Sequence, residues 1–494
     1  MFYKSTRSSE AANVSAAQAI KQGLANDGGL FVPESIPQLS DADIQALCGM
    51  TYPQRAAKIL SMFLSDYTEE ELLTDCQAVY SAESFVGGAA PLVSLKAPME
   101  IMELWHGPTA AFKDMALQIM PRLLSRALVK TGETRTALIL VATSGDTGKA
   151  ALEGYRDVDG VKIMVFYPVD GVSHVQKLQM ATQVGSNVNV CAIQGNFDDA
   201  QNGVKEIFGD ASMADRLNEK GYFFSSANSI NWGRLAPQIV YYVSAYCDLL
   251  NAGKCKLGDQ FNVCVPTGNF GNIFAGYIAK LMGLPVNRFL CASNTNNILT
   301  DFLRTGTYDR NRDFHLTMSP SMDILISSNL ERLLYFTAGS ERTAAYMKSL
   351  KETGKYTVDA DVLAQIQEHF LGYYASEEQT ADTIKRTYEE CKYLADTHTA
   401  VAICSAEQYL QETADMLPLV IDSTASPYKF ANNVYRSLTG NEPESDLAAL
   451  DQLTALTGVE IPYPLAGLAQ RKVNFTKICD RSEMAKAVLE YIEQ

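Results

Sequence analysis

At 494 residues the chain is too long for one ordinary core, and about 100–200 residues per domain predicts roughly three units. Hydrophobic residues make up 47% and charged residues 20%, the balance of a soluble globular protein, and no window approaches about 18 uninterrupted apolar residues, so no membrane span is expected. A net charge of −16 argues against nucleic acid, whose phosphates demand a basic face, but not against small anions, which respond to local N–H groups and arginines.

The first seven residues, Met1 to Arg7, contain no apolar stretch of a secretory signal. Helical patterns follow at 12–24, 44–64 and 69–80, joined by polar or proline-bearing turns. From about 134 the rhythm changes to strand-length apolar runs alternating with helical patterns: 137–142, then a helix 148–155; 161–167, then 174–183; 188–193, then 198–208; 222–225, then 235–250; 261–265, then 272–282; and a further strand at 288–292. Such alternation predicts βαβ units and a mostly parallel sheet covered on both faces. Residues 340–415 are expected to be mainly helical, and 417–421 reads as a late strand returning to the sheet. The ten cysteines include no Cys-x-x-Cys pair and the five histidines show no ligand spacing, so neither a disulfide framework nor a metal site is expected, and a reducing cytoplasm is the expected setting.

Ligands of parallel sheets bind beyond the carboxyl ends of the strands. The chain carries unusual residues at those places. Lys113 follows Trp105-His106-Gly107-Pro108-Thr109-Ala110-Ala111-Phe112 and precedes Asp114 and Met115. In such weakly polar company desolvation would lower its pKa, and a neutral amine can form a Schiff base with a carbonyl. The same lysine could instead open a helix whose apolar face is Met115, Leu117, Ile119 and Met120. Thr143, Ser144, Gly145, Asp146, Thr147 and Gly148 join a strand to a helix, where hydroxyls and exposed N–H groups suit a carboxylate or phosphate; Asp146 either caps the helix or accepts a hydrogen bond from a ligand hydroxyl. Asn228, Ser229, Ile230, Asn231, Trp232, Gly233 and Arg234 bring two amides, a hydroxyl and a guanidinium to another helix start, either as a capping turn or as a phosphate site. Thr267, Gly268, Asn269, Phe270, Gly271 and Asn272 form a turn in which successive N–H groups can nest an anion. This turn has neither the Gly-Lys-Ser/Thr of a nucleotide-phosphate loop nor a dinucleotide fingerprint. The hydroxyl cluster Ser423, Thr424 and Ser426 after the late strand could face a ring nitrogen or simply turn the chain. Two anion sites near one crevice suggest two phosphates, one on a cofactor and one on a substrate.

Taken in order, these segments resemble the threonine synthase family, pyridoxal-phosphate enzymes of the tryptophan-synthase-β-like fold type II class. The resemblance rests on Tyr3-Lys4-Ser5-Thr6-Arg7, on 23–34 (Gly-Leu-Ala-Asn-Asp-Gly-Gly-Leu-Phe-Val-Pro-Glu), on 106–114, on the Asn-Ser-Ile-Asn-Trp cluster, and on 195–201 and 321–329. It implies an α/β fold of two mostly parallel three-layer lobes with an N-terminal helical domain at 1–95. A catalytic region at 96–440 would enclose a smaller lobe at about 134–227, and a segment 441–494 would pack on the larger lobe. It further implies that Lys113 binds pyridoxal 5′-phosphate covalently and that Gly268, Asn269, Phe270, Gly271 and Asn272 hold its phosphate. Thr424 would meet its pyridine nitrogen. Thr143, Ser144, Gly145 and Thr147 would take the substrate carboxylate, with Asp146 approaching the cofactor's ring hydroxyl. Asn228, Ser229, Asn231 and Arg234 would take the substrate phosphate. Many relatives outside the family have Asn at the position of Asp146. The implied reaction turns O-phospho-L-homoserine and water into L-threonine and phosphate. Two alternatives stay open: a phospho-lyase that stops at 2-oxobutyrate, and a non-catalytic protein that retains the fold. A monomer and a dimer are both compatible with the sequence.

Overall fold

A computed structural model describes the chain apart from Ala12, Ser144, Asp170, Gly171 and Gln494 and the side chains of Phe197 and Asp198. The N-terminal region is built on helices Ala16–Gln22, Asp41–Cys48, Tyr52–Phe63 and Glu69–Val79. The pattern expected as one helix over 44–64 is two. Thr51 and Gln54 form a capping box, and Pro53 sits in the first turn, where its missing N–H is harmless, so a second helix starts there. Strands Tyr3–Ser5 and Phe31–Pro33 pair antiparallel beside these helices.

Two sheets carry the rest. The larger has six strands in the order Phe370–Tyr374, Val286–Ser293, Phe261–Pro266, Leu419–Ser423, Met99–Glu103 and Leu92–Lys96, all parallel except the last pair. The smaller has five parallel strands in the order Ile478–Asp480, Val188–Gln194, Val161–Pro168, Thr136–Ala142 and Tyr222–Ser225. Central strands such as Phe261–Pro266 are buried at every position, which is why they read as nearly continuous apolar runs, broken here only by Asn262, and are legible. Met99–Glu103 carries two glutamates among five residues, so its sequence conceals an interior strand that is nonetheless buried throughout.

Residues 340–415 are mainly helical, as expected, but two short strands, Lys355–Thr357 and Phe370–Tyr374, interrupt the helices. The second is held by aromatic packing, with the rings of Phe370 and Phe289 stacked at 5.4 Å across neighbouring strands. A helix at Ala211–Glu219, capped by Asp210, was also not anticipated. The expected packing of 441–494 on the larger lobe is corrected for its final part. Helix Ala448–Thr457 does pack there, with Leu453 among Tyr428, Val434 and Ile384. Strand Ile478–Asp480 instead extends the smaller sheet, and Met484 and Val488 cover Met164 and Phe166. Among the described residues no helix is long and apolar enough to cross a membrane.

In each sheet the chain reverses its direction of strand addition at the centre. The strand Thr136–Ala142 lies between Val161–Pro168 and Tyr222–Ser225, and Leu419–Ser423 lies between Phe261–Pro266 and Met99–Glu103. Crevices form at the carboxyl ends of such strands. The loops after five of these six strands, all but Val161–Pro168, carry Thr143–Gly148, Asn228–Arg234, Gly268–Asn272, Thr424 and Lys113.

Candidate active site

Lys113 lies in the loop between the strand Met99–Glu103 and the short helix Asp114–Leu117. Its side chain is 10% exposed. Nζ donates to Ser321 Oγ at 3.3 Å and stands 3.7 Å from Asp146 Oδ2. Burial, with Arg234 and Lys429 nearby and Asp146 acting in the opposite sense, brings its pKa down to about 8. The loop is tied down by Asp114, which accepts hydrogen bonds from the N–H and hydroxyl of Thr109 at 2.8 and 2.7 Å and from Gln118 at 3.0 Å. Burial pushes the Asp114 carboxyl up to about 6. Phe112 N–H donates to the carbonyl of Thr424 at 2.8 Å, so the lysine loop and the hydroxyl cluster are joined through backbone.

Asp146 opens the helix Asp146–Tyr155, and its carboxylate is buried. Gln176 donates to Oδ1 at 2.8 Å, and Lys429 Nζ, itself fully buried, lies 2.8 Å from the same oxygen. Burial alone would raise this carboxyl, but Lys429 and Lys113 outweigh it and hold the group ionised, well below the usual carboxylate range. Lys429 also donates to the carbonyl of Thr109 at 3.0 Å. Gly145 has φ of 138°, and a Cβ there would stand 2.5 Å from the Gln176 amide, so only glycine fits. Thr143 Oγ1 accepts from the N–H groups of Gly145 and Gly148, both at 3.0 Å, so this hydroxyl shapes the loop. Thr147 is half-buried, and Ser144 lies outside the described residues.

The glycine turn presses against the segment 320–329. A Cβ on Gly268 would stand 2.7 Å from the carbonyl oxygen of Ser321, and Ser327 Oγ donates to the Gly268 carbonyl at 2.7 Å. Phe270 adopts the left-handed conformation at φ 61° and leads into the helix Gly271–Leu281. Asn269 is exposed. The side chain of Asn272 points away from the turn. Its Oδ1 accepts from the hydroxyls of Tyr241 and, at 2.6 Å, Tyr242, and its Nδ2 donates to Asp422 at 3.0 Å. What Asn272 offers an anion is its backbone N–H. Asp422 is buried with one oxygen lacking a partner, and burial pushes its carboxyl up to about 7.

In the loop 228–234, the expectation for Asn231 is corrected. Both amide hydrogens are committed, to the carbonyls of Ile20 at 2.9 Å and Ser226 at 3.0 Å, and Oδ1 caps the helix Trp232–Asn251 through Gly233 N–H. Asn228 is exposed, with its N–H on Ser226 Oγ and its carbonyl accepting from Asn231 N–H. Ser229 is half-buried, and its Cβ lies 3.8 Å from where a Cβ on Gly271 would stand, so this loop abuts the glycine turn. Arg234 is 7% exposed and donates to the carbonyl of Ala227 at 3.0 Å. It pairs with no carboxylate among the described residues, and burial draws its pKa down to about 10. A guanidinium buried in this way favours an anion arriving at its free N–H groups.

Four loops therefore meet around the Lys113 amine, with Asp146 and Lys429 on one side and Gly268, Gly271, Ser229 and Arg234 on another. Several participants carry no local signature. Ser321 bridges Lys113 and Asp146, the latter at 3.4 Å, and its N–H donates to His398 Nε2 at 3.1 Å. That leaves His398 Nδ1 to donate to Asp396 at 3.0 Å. Lys429 sits between Tyr428 and Phe430 in a short 3₁₀ turn. A lysine in an apolar run was the available sign. His106 bonds Glu103 at 2.8 Å and stacks on Trp105, an arrangement local to the strand end.

The family model described as pyridoxal-phosphate dependent enzyme matches residues 94–420, flanked by threonine synthase N terminus at 2–80 and threonine synthase, C-terminal at 399–492. The chain is 39% identical over 449 residues to threonine synthase of Pseudomonas aeruginosa, covering 90% of this chain and 92% of that one. It is also 39% identical over 434 residues to human threonine synthase-like 1, covering 85% of this chain but spanning only 58% of that protein. Among solved structures it is similar to the pyridoxal-phosphate-bound threonine synthase of Brucella melitensis, with a TM-score of 0.87 and 37% identity over 100% of this chain and 98% of the other. For the yeast threonine synthase the TM-score is 0.89 and the identity 34%, again over 100% and 98%.

Proposed function

This chain belongs to the threonine synthase family of pyridoxal-phosphate-dependent enzymes, and on that premise we propose that it converts O-phospho-L-homoserine and water to L-threonine and phosphate. The observation that carries the reading is the Lys113 amine: buried, poised near neutrality and flanked by a glycine turn and an unpaired arginine.

The residues fit the cofactor. Lys113 is the amine that would bind its aldehyde. Gly268 leaves no room for a side chain against Ser321, which keeps the backbone N–H groups of the turn free for a phosphate monoester. The hydroxyl of Thr424, next to the lysine loop, would meet the pyridine nitrogen; as a neutral group it does not enforce a protonated ring. When bound, pyridoxal phosphate supplies an electron sink for carbanion charge.

The protein's part is proton transfer and orientation. Lys113, as a neutral amine, takes the proton from Cα and becomes an ammonium that Asp146 stabilises at 3.7 Å. The loop Thr143–Thr147 and the Asn228–Arg234 loop would hold the substrate carboxylate and phosphate at opposite ends. Two fixed anions orient the Cα–H bond, and orientation of this kind contributes several kcal/mol to barrier reduction, about 7–11 at the limit. Arg234 would receive the phosphate as it leaves Cγ, its charge having no other buried partner. A reducing cytoplasm is the proposed setting, supported by ten unpaired cysteines.

The test is an absorbance spectrum of purified protein before and after borohydride, followed by product analysis with O-phospho-L-homoserine. Threonine and phosphate in equal amounts support the reading. Phosphate with 2-oxobutyrate and no threonine reassigns the chain as a phospho-lyase, and a protein that takes up no cofactor ends it.

A further inference from the structure

Asn329 precedes the helix Leu330–Thr353 and is completely buried. Its backbone N–H donates to the carbonyl of Asn269 at 3.0 Å, which fixes it to the glycine turn. Its side-chain Oδ1 accepts from Arg332 Nη1, whereas Nδ2 has no hydrogen-bond partner among the described residues. The orientation of the amide follows from chemistry. A guanidinium has only donors, so it must face the amide oxygen, and the NH₂ must point the other way. There Nδ2 lies 3.2 Å from the place a Cβ on Gly271 would occupy. Gly271 is the first residue of an eleven-residue helix whose N–H groups open toward the turn.

Arg332 is held as firmly as its task requires. Nε donates to the carbonyl of Phe31 at 3.1 Å and Nη2 to the carbonyl of Ile230 at 2.6 Å, and the guanidinium lies 5.8 Å from the Trp232 ring. It is fully buried. A buried donor without a partner disfavours the fold by about 1–3 kcal/mol unless something binds it. We infer that Asn329 is a further anion-binding residue of the glycine turn, donating its amide N–H to the cofactor phosphate, and that Arg332 is the positioning residue that prevents the amide from flipping. This rests on the reading of that turn as the cofactor-phosphate cradle.

The experiment compares pyridoxal 5′-phosphate with pyridoxal, which lacks the phosphate, as ligands of the cofactor-free protein, read by quenching of tryptophan fluorescence. Wild type should bind the phosphate form more tightly. Asn329→Ala should weaken pyridoxal 5′-phosphate by about ten- to a hundredfold, the range of one charge-assisted hydrogen bond, and leave pyridoxal unchanged. Asn329→Asp keeps the oxygen that Arg332 grips but turns an anion toward the phosphate, so it should weaken the phosphate form further; its melting curve verifies the fold. In the loaded wild-type protein the ³¹P resonance should differ from that of Asn329→Ala. An unchanged ratio of the two affinities in both variants, or an equal loss for both ligands, overturns the assignment of Asn329. A wild type that does not distinguish the two ligands overturns the cradle itself.

Discussion

Lys429 Nζ stands 2.8 Å from Asp146 Oδ1 in a pair from which solvent is excluded, while Lys113 Nζ stands 3.7 Å from the other oxygen of the same carboxylate. Two buried ammonium groups share one anion, and Lys429 has the shorter contact. Burial, together with the neighbouring charges of Arg234 and Lys429, weakens the hold of Lys113 on its own proton, whereas Asp146 strengthens it.

Lys429→Met should raise the pKa of Lys113. It removes a neighbouring cation and leaves Asp146 to favour the Lys113 ammonium alone. The acidic limb of the kcat profile, which reports the substrate-bound enzyme in which the Lys113 amine is not joined to the cofactor, should move to higher pH, because a higher pH is then needed to free the amine of its proton. Breaking the buried pair should also destabilise the fold by about 3–5 kcal/mol, measured as a shift in the denaturation midpoint. A limb that stays in place would count against this arrangement.

Lys113 should be far more reactive than an ordinary lysine of the cofactor-free protein near pH 8. With its pKa at about 8, about half of it is neutral there, against less than about 1% of a lysine at the ordinary 10.5. Pulse labelling with a small amine reagent and peptide mass spectrometry reads this directly. The sign for stability follows. Between about pH 8 and 10.5 the unfolded chain binds the extra proton, so stability rises with pH across that window, and Lys113→Met should flatten the rise. The same substitution should lower threonine formation by at least about a thousandfold.

Asp422 gives an opposite dependence. Its folded pKa is about 7, above the unfolded value near 3.8, so between those values the folded state binds the extra proton and stability falls as pH rises. Asp422→Asn should remove that slope from melting temperatures of the cofactor-free protein taken from pH 4 to 7. Retention of the full slope would refute the assignment.

Arg234→Leu should separate binding from stability. Removing a buried cation that has no acidic partner should leave the cofactor-free protein at least as stable as wild type. The KM for O-phospho-L-homoserine should rise by about ten- to a hundredfold, as expected for loss of a charge-assisted contact to phosphate. Lower stability with unchanged KM would make Arg234 a structural residue.

Gly268→Ala should impair cofactor retention. The new methyl would meet a backbone carbonyl at 2.7 Å, which cannot yield as a flexible side chain does. Gly209→Ala is the control, since a Cβ there meets nothing within 4 Å. Cofactor absorbance after extended dialysis should be lost in the first variant and kept in the second.

Much of this molecule was legible in the residue order because its chemistry is local. Parallel strands buried on both faces favour nearly continuous apolar runs, so Thr136–Ala142, Val161–Pro168 and Phe261–Pro266 stand out despite Lys162 and Asn262, as do the glycines and hydroxyls that follow Thr136–Ala142 and Phe261–Pro266. The same loops that attracted attention converge on Lys113. Strands that broke the pattern, Met99–Glu103 and Phe370–Tyr374, did not stand out, because their burial comes from neighbours remote in the chain.

Sequence alone thus determined the alternating architecture, the lysine set among weakly polar residues and the glycine- and hydroxyl-rich turns at strand ends, since each depends on residues within a few positions of one another. Tertiary structure decided which polar side chains face the ligand and which serve the scaffold. Asn272 and Asn231 looked like ligands but are bonded to Tyr242 and Ile20, whereas Lys429 stood in no motif, and Ser321 and Asn329, the ends of a segment noted only for its resemblance, were given no role, yet all three border the site. A hydrogen bond between residues hundreds of positions apart, and the desolvation that gives it weight, arise only when the two lobes and the N-terminal helices close around the same crevice.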